Sequence, residues 1–135
     1  TCLAKNDMLF EVGQICHDML FVSQGELGYL CAEKTELVHV LAGDWCCEPV
    51  LWVAWMHKGE SRSAAASNLL AIASDKFRKE MLEFREASFI RGCAHAYLQD
   101  LEECISTGIL IDDLIHMDVH ELAYKEASTT DIPNS

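Results

Sequence analysis

Residues 43–66 read GDWCCEPVLWVAWMHKGESRSAAA, and this stretch holds all three tryptophans of the chain. Gly43 and Asp44 open it as a turn. Glu48-Pro49 suits a helix start: proline at the first helical position loses no needed hydrogen bond, and a carboxylate there favours the positive end of the helix. The expected helix covers about 49–57 and stops by Gly59, with Met56, His57 and Lys58 read as a solvated loop. Arg62 closes the stretch in front of a run of small residues. An acid and an arginine therefore bracket a short helix.

Upstream, residues 8–12 form a short apolar strand ended by Gly13. Residues 19–23 carry the aromatic and branched side chains that favour strands. Gln24-Gly25 reads as a tight turn, since glycine takes positive φ without a Cβ clash. Residues 26–32 then alternate, with Leu27, Tyr29 and Cys31 on one face and Gly28 and Leu30 on the other. FVSQGELGYL at 21–30 thus predicts a β-hairpin, and 36–41 a further strand. Downstream, 61–67 and 69–73 predict two more strands around Asn68.

After Ser74-Asp75, read as an N-cap pair, the period becomes helical. Phe77, Met81 and Phe84 recur at i, i+4 and i+7. Gly92 interrupts, and Ala94, Tyr97, Leu98, Leu101 and Ile105 then line a second helix ended by Gly108. A third helix is expected over about 112–125. Strands followed by helices define an α+β fold. The strands form an antiparallel β-roll of the double-stranded β-helix or jelly-roll type over 1–76, with the 43–66 segment inside it. C-terminal helices of the same domain follow over 77–127, and 128–135 is a frayed polar tail.

A length of 135 residues suits one domain, and a half-apolar composition suits a folded one. The formal charge of −12, spread over both halves, repels phosphate backbones and anionic lipid, so neither nucleic acid nor a membrane surface is an expected partner. No apolar run approaches the roughly 18 residues of a membrane span, so direct membrane insertion is not expected. The 7 cysteines form no C-x-x-C pair, and scattered cysteines of this kind are buried thiols of a reducing compartment, either cytoplasm or organelle interior. The chain begins at Thr1 and not at Met, as a processed product or a piece of something longer would. His116 and His120, with Asp112 one turn earlier, share a helix face. No fourth ligand is signalled there, so an exposed polar face and no metal are expected. No Ser-His-Asp order, phosphate-binding glycine loop or paired carboxylates point to an enzyme.

The order of roll, acid–helix–arginine segment and C-terminal helices resembles the cyclic-nucleotide-binding domain of kinase regulatory subunits, bacterial catabolite activators and cation channels. In EVGQICHDMLFVSQGELGY, residues 11–29, Met19, Phe21, Val22, Gly25 and Leu27 match the family's M-Y-F-V-x-x-G-x-L strand. Gly43-Asp44-Trp45 resembles its G-D-x-F-G-E turn, and residues 69–77 resemble the entry to its B helix. The resemblance covers about residues 8–100. It implies that Glu48 accepts from a ribose 2′-hydroxyl and that Arg62 forks onto the cyclic phosphate, with Ser63 and Ala64 the small residues after it. The implied ligand is cAMP or cGMP, with no other cofactor.

Three departures from the family pattern stand in the same segment. Cys47 replaces its glycine, Pro49 removes an N–H, and WVAWMHKGES at 52–61 lengthens the gap between acid and arginine. Two readings follow. In one, a regulatory module captures the nucleotide and signals to an attached domain or another protein chain. In the other, a degenerate roll serves as a structural or protein-interaction subunit of a larger assembly, docking through Trp45, Trp52 and Trp55.

Overall fold

The computed structural model describes residues 1–83 and 87–116. Among these lie strands β1 (Cys2–Leu3), β2 (Met8–Phe10), β3 (Asp18–Gln24), β4 (Glu26–Cys31), β5 (Val38–Leu41), β6 (Trp45–Cys46), β7 (Gly59–Ser63) and β8 (Ser67–Ala73). A single 3-10 turn spans Glu48–Leu51, and helices α1 (Ser74–Leu82) and α2 (Ala87–Ser106) follow β8. The strands form two four-stranded antiparallel sheets, ordered β1-β8-β3-β6 and β2-β7-β4-β5. This is the α+β roll with trailing helices that the sequence predicts.

The expected hairpin at 21–30 is not one. β3 pairs with β8 and β6, while β4 pairs with β5 and β7, so Gln24-Gly25 is a corner where the chain changes sheets. Gly25 has φ +91, and a Cβ there would collide with Ser67 and lie 2.6 Å from the Ala66 carbonyl. The glycine is required by that close approach as well as by its backbone angle. The alternation in β4 does place Leu27, Tyr29 and Cys31 inside the roll. They meet Phe10, Val22, Val40, Cys46, Val50 and Leu69 in one core cluster.

The helix expected over 49–57 is only the 3-10 turn. Beyond it Met56 bridges Ile15, and the His57 N–H donates to the Gln14 carbonyl at 2.9 Å. Trp52, Val53 and Trp55 carry side chains that lose rotamer freedom in a helix, and an extended path takes His57 inward. His57 is buried, which corrects its reading as solvated loop. The break between the last two strands falls at 64–66, so Asn68 sits within β8.

Ser74 and Asp75 begin α1 itself, Ala73 being the residue before it, and no side chain caps that end. α2 runs through Gly92 without interruption. Its inward residues are Cys93, Ala96, Tyr97 and Leu101, whereas Leu98 and Ile105 are exposed. Ala96, Tyr97 and Leu101 form a second cluster with Trp52, Val53, Ile111 and Ile115. Gly108 ends this part of the chain at φ +80. Residues 112–116 are not helical. The remainder of the expected third helix, His120, Phe84 and the tail at 128–135 lie outside the described residues.

Candidate functional site

Asp113 follows α2 in the apolar run ILIDDLI at 109–115 and is completely buried. Its backbone ties it to the segment at the centre of the chain, because the Cys47 N–H donates to its carbonyl at 2.7 Å. Its carboxylate enters the roll and collects five donors. Oδ1 accepts from Trp55 Nε1 at 2.7 Å and His57 Nδ1 at 3.1 Å. Oδ2 accepts from the Tyr29 hydroxyl at 2.7 Å and from the Lys58 and Gly59 N–H groups at 2.8 and 3.0 Å. A buried carboxylate without such partners costs several kcal/mol. Burial pushes the Asp113 carboxyl up, but the hydrogen bonds from His57, Tyr29, Trp55 and Lys58 outweigh it and hold the group below the usual carboxylate range. Burial chiefly, with Asp113 beside it, drives the Tyr29 phenol well above its ordinary value.

His57 lies in the same interior. Phe10 stacks on its ring at a centroid distance of 3.8 Å, and the Cys47 thiol is 3.8 Å from Nδ1. Burial disfavours the charged ring, but hydrogen bonds to Asp113 and Cys16 overcome it and lift His57 to about 9. Cys16 is brought down to about 6, first by its hydrogen bond with Cys47 and then by His57, against its burial. Cys47 is pushed up because it is the proton-bearing partner of Cys16 and of Cys46. Cys47 also adopts φ +65, a left-handed conformation that costs a non-glycine residue about 1–2 kcal/mol. Cys16, Cys47 and His57 are all buried, with their ligating atoms within 4.8 Å of one another.

Glu48 is also buried. It accepts from Trp45 Nε1 at 3.3 Å and from the Tyr97 hydroxyl at 3.2 Å, so it joins the roll to α2. Burial, and then the Glu48 charge, raise the Tyr97 phenol well above its ordinary value. Arg62 stands elsewhere. β7 points Gly59, Ser61 and Ser63 inward, which leaves Glu60 and Arg62 on the outer face. Among the described residues Arg62 Nη1 reaches the Asn6 carbonyl, at 3.5 Å. It lines an open hollow of about 320 Å³ with Asn6, Leu37, Glu60, Ser63 and Ala64, and Glu48 is not among the lining residues. The Ser63 hydroxyl is engaged by the Ala4 carbonyl and the Asp7 N–H, and the Ala64 N–H donates to Glu26.

All three tryptophans are partly exposed and engaged internally. Trp45 stacks on His116 at 4.4 Å, and Trp52 packs against Phe77 and Tyr97. Trp55 binds Asp113 through its indole nitrogen and lies 5.3 Å from Lys58 Nζ. Asp113, His57, Cys16 and Cys47 are the site residues that sequence reading does not single out. The one local signal is a pair of acids inside ILIDDLI, since an ionisable group in an apolar run needs a buried partner.

No family model matches the chain, and no curated protein sequence matches it. Solved structures do. A structure from work titled as a cyclic-GMP-dependent signalling pathway that regulates bacterial phytopathogenesis superposes with a TM-score of 0.58 at 20% identity, over 78% of this chain and 83% of that one. The cGMP-bound form of the EAL enzyme Bd1971 gives 0.57 at 14% identity, over 75% of this chain and 27% of that one. A cyclic nucleotide-binding-like protein from Brucella abortus gives 0.55 at 17% identity, over 62% and 74%. The chain has the fold of cyclic-nucleotide-binding-like domains. It spans about a quarter of the EAL enzyme's length. No helix among the described residues is long and apolar enough to cross a membrane.

Proposed function

We propose that this chain is a non-enzymatic regulatory module of the cyclic-nucleotide-binding type in which the roll interior is held by the protein's own side chains. It would act by contact with an attached domain or another protein chain. The observation that carries this reading is the occupancy of the interior. Asp113 takes five donors there, and Glu48 is hydrogen-bonded by Trp45 and Tyr97. A ribose hydroxyl that sought Glu48 would have to displace a buried phenol, and Arg62 faces a different hollow. An absent glycine at position 47 supports the same reading.

The test is a titration of cAMP and of cGMP followed by melting temperature. A ligand at a hundredfold excess over Kd adds about 2.7 kcal/mol to stability. The expected result is no shift with either nucleotide at millimolar concentration. A shift that Arg62→Ala abolishes would instead support a second reading, favoured by the exposure of Arg62 beside Ser63 and Ala64: capture of a cyclic phosphate at the outer hollow.

A further inference from the structure

The sequence holds no C-x-x-C pair, yet the fold gathers two thiols and an imidazole from three separate segments. Cys16 precedes β3, Cys47 precedes the 3-10 turn and His57 precedes β7. We propose that Cys16, Cys47 and His57 form a zinc site, with the fourth coordination place left to water or an added ligand. Two sulfurs and one ring nitrogen are a ligand set that zinc favours over harder cations. Zinc–sulfur bonds of about 2.3 Å place tetrahedral ligand atoms about 3.8 Å apart. The three ligating atoms all lie within 4.8 Å, so closing onto an ion asks for a movement of less than about 1 Å.

The backbones of all three ligands are fixed. Cys16 N–H donates to the Trp55 carbonyl at 2.9 Å, Cys47 N–H to the Asp113 carbonyl at 2.7 Å and His57 N–H to the Gln14 carbonyl at 2.9 Å. Phe10 holds the plane of the imidazole, and the Asp113 carboxylate accepts the Nδ1–H from 3.1 Å, which leaves the other ring nitrogen, Nε2, for the ion; this is the support that carboxylates give metal-bound histidines. Entry is available, since Cys16 lines an open cleft of about 730 Å³ that also includes His17, Trp55 and Asp75. The bonds to an ion would also offset the strain at Cys47, where the side chain is otherwise an unfavourable choice over glycine.

The experiment is a cobalt(II) titration of the reduced full chain, without nucleotide, read by absorption. Wild type is expected to take one cobalt per chain, with a thiolate-to-cobalt charge-transfer band and the visible bands of a tetrahedral centre, and to release it to zinc. Cys16→Ser and His57→Gln should weaken binding by at least the 10- to 100-fold that loss of an outer support costs. Cys104→Ser, on α2, should bind as wild type does. Far-UV circular dichroism accompanies each variant, and a variant that has lost the native spectrum is replaced by the other. Absence of the thiolate band in wild type would overturn the site, as would its survival at full strength in a folded Cys16→Ser chain. Neither result depends on whether a cyclic nucleotide binds.

Discussion

Asp113 is the residue on which the interior depends, because both of its oxygens are in use and five donors converge on them. Removing the carboxylate takes the acceptor from a buried phenol and imidazole, from a partly buried indole and from two backbone N–H groups. Breaking a buried charge pair by deleting one partner costs about 3–5 kcal/mol. Asp113→Ala is expected to lose at least that in urea denaturation, whereas Asp112→Ala gives up only its bond to the Leu114 N–H and about 1 kcal/mol. Similar losses for the two variants would show that the network does not anchor the roll. Tyr97 supplies a pH prediction. Its phenol is raised in the folded protein, so the folded state keeps the proton after the unfolded chain has lost it. That contribution is complete below the ordinary tyrosine value of about 10 and is lost as pH rises beyond it. Stability should therefore fall on the alkaline side of about pH 10, and more shallowly in Tyr97→Phe, as read by denaturation midpoints across pH.

The corner between β3 and β4 shows how one position fixes the course of an element. Gly25 and Gly13 both have positive φ, +91 and +85, but nothing lies within 4 Å of a Cβ added at Gly13, while at Gly25 that atom strikes Ser67. The conformational cost alone is about 1–2 kcal/mol for a side chain in the left-handed region. Gly13→Ala should pay no more than this in chemical denaturation, and Gly25→Ala should cost clearly more, since the corner must open to admit the methyl group. Equal costs would mean that the corner yields freely. The 3-10 turn at Glu48–Leu51 is the other element with a wide effect. Val50 on it belongs to the roll core, and Trp52 just after it belongs to the helix cluster.

At the scale of the whole molecule, roll and helix are joined by buried polar contacts as well as by packing. Glu48 binds Tyr97 of α2, and Asp113, which follows α2, binds Tyr29 of β4. A unit linked in this way is expected to unfold as one. Leu101→Ala, which opens a cavity in the helix cluster, should cost about 2–5 kcal/mol. It should move the tryptophan-fluorescence and far-UV circular dichroism midpoints together. A helix signal that melts ahead of tryptophan fluorescence would show α2 to be a separate unit.

The faces of β4, the α+β order and the helical nature of 74–82 and 87–106 follow from the sequence, because alternation, turn chemistry and 3.6-residue spacing are local properties. Pairing is not local. Whether FVSQGELGYL folds back on itself or crosses between sheets depends on which strand pairs with β3, and that is β8, where Leu69 stands opposite Val22, far along the chain. The site is decided in the same way. Tyr29 and Asp113 are 84 positions apart, and Cys16, Cys47 and His57 become neighbours only when the roll closes. Sequence spacing places an acid and an arginine on one segment, but the parity of β7 sends Arg62 outward while the turn at Glu48 turns its carboxylate in.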